Sequence, residues 1–139
     1  MSFPKNFTLD ELTITNTGYY NIPQGMPLTY LARLANNVLQ PIRDKWNAPI
    51  IVNSAYRCKE LNAAVGGAKN SGHQYGYCAD LQVKGDLRKF SCFVKYWMEK
   101  HKMAFDELLY EKSGGVTWLH FCWIGKDGKQ RMKCFDIIK

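Results

Sequence analysis

An α+β fold with a mainly antiparallel sheet is predicted by the order of patterns along this chain. Helix-type spacing dominates the first half, three strand-type runs crowd the last third, and Gly114-Gly115 and Asp127-Gly128 punctuate those runs. All five prolines lie in the first 49 residues, marking that part as a lead-in of loops and helices.

Thr8-Leu9-Asp10-Glu11 has capping-box spacing and opens a short helix. Pro27 suits a first helical turn, and Leu28, Leu31, Leu34, Ala35, Val38, Leu39 and Ile42 then follow at helical spacing until Pro41 kinks or divides the helix. Pro49 to Val52 reads as a short buried strand. Lys59 to Val65 reads as a helix stopped by Gly66-Gly67. Tyr77 to Val83 is strand-like, and Leu87 to Lys100 is a helix with Phe90, Val94, Trp97 and Met98 facing inward. Further strands are expected over Phe105–Glu111, Val116–Ile124 and Gln130–Ile137, with the glycine turns joining them.

At 139 residues, 46% of them hydrophobic and 22% charged, the chain is expected to be one domain over 1–139. No apolar run is long enough for membrane insertion, and the first residues lack the apolar stretch of a secretory signal. Five cysteines, an odd number without CxxC spacing, argue for reduced and mostly buried thiols. The net charge of +7 suits an anionic partner, but the basic residues are scattered, so no nucleic-acid interface is expected.

The chemistry concentrates in Ser71-Gly72-His73-Gln74-Tyr75-Gly76-Tyr77-Cys78-Ala79-Asp80, with His120 downstream in an apolar, aromatic run. Two imidazoles and one carboxylate are three protein ligands for zinc, leaving a tetrahedral position open, as catalysis requires. Residues 78, 80 and 82 share one strand face, as do 118, 120 and 122, so Asp80 and His120 converge if those strands are neighbours. Hydrolysis also needs a carboxylate near the metal but not bound to it. Glu111, one hairpin turn before the His120 strand, is the leading candidate. Asp106 and Glu107 rank lower because they lie farther from that turn.

The run Ser54-Ala55-Tyr56-Arg57, Asn62, Val65-Gly66-Gly67-Ala68, Ser71, His73, Gly76 and Asp80, followed by Trp118-Leu119-His120, resembles the zinc D-alanyl-D-alanine carboxypeptidase family of peptidoglycan peptidases. The lead-in, Phe7 to Leu12 and Val38 to Arg43, is similar to short single-domain members, many of them from bacteriophages. The resemblance implies helices packed on one side of the sheet, and His73, Asp80 and His120 as zinc ligands. It also implies that Arg57 holds a substrate carboxylate and that Ser71 lines the pocket; Trp118 is as well placed to wall the pocket as to fill the core. Some relatives carry the catalytic acid three residues before the last histidine, where this chain has Thr117. The hedgehog-like branch of the same architecture has a Tyr-Glu ending the preceding strand, to which Tyr110-Glu111 is similar. Cys78 replaces a small alanine on the metal-facing side.

The resulting expectation is a monomeric zinc metallopeptidase acting on peptidoglycan stem peptides. It would be synthesised in the cytoplasm without a signal peptide and reach the cell wall after release by a separate membrane-permeabilising protein, as phage or prophage lytic enzymes do. The alternative is a non-catalytic zinc module that binds a peptide or protein.

Overall fold

The computed structural model describes residues 2–138. Helix α1 (Leu9–Leu12) is capped by Thr8, whose hydroxyl accepts from the Glu11 backbone N–H at 3.2 Å. Helix α2 (Met26–Leu34) carries Pro27 in its first turn, and α3 (Gln40–Trp46) carries Pro41 in its own. Between them Ala35–Leu39 is π-helical. A proline cannot donate to the carbonyl four residues back, and the wider turn absorbs that lost bond without separating the helices.

Strand β1 (Ile50–Ser54) leads through a short loop to α4 (Lys59–Ala64) and then to a 3₁₀ turn, Gly72–Tyr75. Next come β2 (Cys78–Val83) and α5 (Leu87–Lys100), the latter capped by the Asp86 carboxylate, which accepts from the Lys89 N–H at 3.0 Å. Strands β3 (Glu107–Ser113), β4 (Val116–Cys122) and β5 (Lys133–Ile138) complete one five-stranded sheet of order β1-β2-β4-β3-β5.

Strand periodicity divides the sheet into two chemically different faces. Ala79 and Leu81 of β2, Leu119 and Phe121 of β4 and Leu108 of β3 are buried on one face, against Phe90, Val94, Trp97 and Met98 of α5. Helix α3 packs on α5 in turn, with Trp46 edge-on to Phe90 at 5.1 Å. The helices thus cover one side. The opposite face carries residues 78 and 80, 118, 120 and 122, and 107, 109 and 111.

Two expectations need correction. Asp127-Gly128 turns the chain within the loop after β4, but β5 does not pair with β4; it runs parallel to β3, with Glu107 opposite Lys133. Alternating polarity reports which face a residue occupies, and is silent about which strand lies alongside. Nor are the thiols all reduced and mostly buried. Cys78 and Cys122 form a disulfide, Cys92 and Cys134 are exposed, and Cys58 is half-buried at the cap of α4. The bonded pair lies 44 residues apart in sequence, brought together by the β2–β4 register rather than by local spacing.

Candidate metal centre

His73 sits in a turn held at three points. The Ser71 hydroxyl accepts from the His73 backbone N–H at 3.2 Å, and the His73 carbonyl accepts from the Arg57 N–H at 3.1 Å. Nδ1 of the ring lies 2.6 Å from the Ala55 carbonyl oxygen. A carbonyl only accepts, so Nδ1 donates a proton to it and Nε2 is the nitrogen left facing Asp80. The two glycines flanking this turn serve different needs. Gly76 has φ +79°, and a Cβ there would stand 2.4 Å from the Pro27 carbonyl oxygen of α2. A Cβ on Gly72 would stand 2.5 Å from the Cys78 sulfur.

Asp80 on β2 and His120 on β4 are direct cross-strand partners. Oδ1 of Asp80 lies 2.9 Å from His120 Nδ1 and 3.5 Å from His73 Nε2, and the ring centroids of the two histidines are 5.4 Å apart. His73 is only 1% exposed, and its Nε2 has no hydrogen-bond partner among the described residues. An orphaned lone pair at that depth is costly unless a cation or proton meets it. One oxygen between two nitrogens, with one nitrogen orphaned, is a donor set that fits a divalent ion. Zinc of this kind would be held by His73, Asp80 and His120.

The local electrostatics follow from the same contacts. Burial alone would raise the Asp80 carboxyl pKa, but His73 and His120 together hold it well below the usual carboxylate range. Burial likewise disfavours the charged form of His120, yet the hydrogen bond to Asp80 and the Glu107 carboxylate facing the other ring nitrogen outweigh it and push the imidazole up from 6.5 to about 10. Burial lowers the Arg57 pKa, and the nearby Asp80 charge opposes that.

These groups line a cleft of about 680 Å³ that also takes in Arg57, Ser71, Trp118 and Glu111. Glu111 pairs with Trp118, one same-face step from the Leu109–His120 pair, so the hairpin does carry it back beside His120. Glu107 lies on the same face and closer than its distance from the turn suggests, with Oε1 3.6 Å from His120 Nε2. Sequence position ranked it below Glu111; only the strand register reveals its contact. Asp106 is committed elsewhere, as Oδ1 accepts from the Arg131 guanidinium at 3.0 Å and from the Arg131 backbone N–H at 3.1 Å. Thr117 shares the helix-covered face with Leu119, away from the cleft. Asn62 is structural, its side-chain amide donating to the Ala68 carbonyl at 2.9 Å.

A small α+β domain that gathers two histidines, one aspartate and two further glutamates at the open face of its sheet has the donor set of a metal-binding domain. The chain is a member of the peptidase M15 family, whose model matches residues 5–114. That match takes in Arg57, His73 and Asp80 but stops before β4, so His120 joins them through the sheet register alone. A curated relative, the zinc D-Ala-D-Ala carboxypeptidase of Streptomyces albus G, is 37% identical over 84 residues. The alignment covers 56% of this chain and 31% of the relative, so the chain spans about a third of that protein's length.

Proposed function

We propose that this protein is a zinc metallopeptidase that hydrolyses peptide bonds in bacterial peptidoglycan stem peptides, in the manner of a D-Ala-D-Ala carboxypeptidase or endopeptidase. The observation that carries the reading is the convergence of His73 Nε2, Asp80 Oδ1 and His120 Nδ1 on the wall of a cleft that also holds Glu111 and Arg57. Zinc, when bound, supplies Lewis acidity that polarises a carbonyl and eases deprotonation of water near neutral pH. The Arg57 guanidinium suits two-point capture of a substrate carboxylate, either a terminal one or a D-glutamate side chain. Glu111 takes the proton of the attacking water and returns it to the leaving amine. Glu107, engaged with His120 Nε2, orients that ring instead. Ser71 fixes the His73 turn, and Trp118 walls the cleft. The net charge of +7 favours docking on anionic wall polymer, and a phage or prophage lytic role accords with the resemblance to short phage members.

The test is mass spectrometry of peptidoglycan fragments after incubation with the zinc-loaded protein, with and without chelator. Hydrolysis abolished by chelator is expected, and Glu111→Gln should retain its metal while losing roughly 10²–10⁴-fold in rate. If Glu107→Gln abolishes turnover and Glu111→Gln does not, the base is Glu107. A wild type that holds zinc but cleaves no stem peptide would make the domain a non-catalytic binding module.

A further inference from the structure

Directly beside the Asp80–His120 pair on the open sheet face, the next same-face pair is Cys78 opposite Cys122. Both are almost fully buried, at 1% and 4% exposure, and both line the cleft that contains the histidines. The two sulfurs and a ring nitrogen of His120 all lie within 4.8 Å of one another, close enough for a single ion to meet all three. As a disulfide the sulfurs are poor donors; as thiolates they are the strongest zinc ligands that a protein offers. We propose that the Cys78–Cys122 disulfide masks a second metal-binding set, and that its reduction creates a Cys78–Cys122–His120 site for zinc-like and softer divalent ions.

The two sets share His120, so they compete for one ion rather than bind two. Oxidised protein presents nitrogen and oxygen donors from His73, Asp80 and His120; reduced protein adds two sulfurs from the neighbouring Cys78–Cys122 pair. Reduction by an external thiol balances as one disulfide plus two R–SH giving two cysteine thiols and R–S–S–R. Coordination then displaces to solvent both thiol protons and the proton on the imidazole nitrogen that meets the ion. Drawing the ion towards sulfur takes it away from Asp80 and from Glu111, so the reduced form would be the weaker hydrolase. The inference rests on the metal reading of His120, but not on peptidoglycan being the substrate.

Cobalt(II) is the probe, because sulfur coordination gives an intense near-ultraviolet charge-transfer band that nitrogen and oxygen ligands lack. The protein is oxidised with glutathione disulfide, or reduced with a water-soluble phosphine that is then removed, and each form is titrated with cobalt. The expected result is the sulfur band in the reduced protein only, at one ion per chain. The band should persist in reduced His73→Ala, whereas oxidised His73→Ala should lose cobalt affinity by at least tenfold. A Cys78→Ser/Cys122→Ser double variant should lack the band after either treatment. Identical spectra for oxidised and reduced wild type would overturn the proposal, as would five titratable thiols in the oxidised, denatured protein. The oxidised titration reads the His73–Asp80–His120 set independently, which tells failure of one set apart from failure of the other.

Discussion

Oδ1 of Asp80 is shared between two imidazoles, and protons decide what that arrangement does without a metal. With its pKa pushed up to about 10, His120 is an imidazolium near neutral pH, while Asp80 stays ionised. A cation must displace the His120 proton to reach the nitrogen beside Asp80. Calorimetric titration in buffers of different ionisation enthalpy should therefore read about one proton released per ion near neutral pH. Affinity should rise close to tenfold per pH unit up to about 10, because binding competes with that single proton. A release near zero would mean that His120 is already neutral. The same raised pKa stabilises the metal-free fold: the contribution is full below the ordinary value of 6.5 and fades as pH climbs through about 10. Glu107 gives an independent check at this scale. If its contact at 3.6 Å orients His120, Glu107→Gln should weaken zinc binding by roughly 10–100-fold, with hydrolysis recovering at saturating metal.

Among the elements, the 3₁₀ turn at Gly72–Tyr75 does most to set the site, because it carries His73 between α2 and the sheet. Gly76→Ala would force a Cβ into a residue at φ +79° and against the Pro27 carbonyl, so it should destabilise the fold by more than about 1 kcal/mol. Denaturant titration checks this. Gly66→Ala, a turn glycine with open space around it, isolates the cost of a positive φ from the cost of the clash. Much of this layer was legible in the sequence. The span of α5, a break in helical regularity at Pro41 and the convergence of Asp80 with His120 follow from hydrophobic period, proline chemistry and strand alternation, although the π-helical form of that break was not expected. What was hidden depends on register between remote segments. Glu107 looked distant by counting residues to the turn, yet the β3–β4 ladder puts it on the face of His120. The Cys78–Cys122 bond and the parallel β3–β5 pairing have no local signature, since each is fixed by where a whole strand lands.

At the scale of the molecule, the candidate ligands come from three separate segments: the turn after α4, strand β2 and its neighbour β4 at the centre of the sheet. The unfolded chain has no reason to bring them together, so an ion held by all three binds the folded state almost exclusively and must stabilise it. With free zinc at about 100 times its Kd, that linkage amounts to about 2.7 kcal/mol. For a chain of this size it corresponds to a rise in Tm of roughly 5–10 °C. Differential scanning calorimetry of the oxidised protein, with excess zinc and after exhaustive chelation, should read that difference. Asp80→Ala removes the shared oxygen without touching the helix-covered core, so it should abolish the zinc-dependent shift while still folding cooperatively. An equal shift in Asp80→Ala would place the stabilising ion elsewhere, and no shift in wild type would mean that the three segments do not hold zinc together.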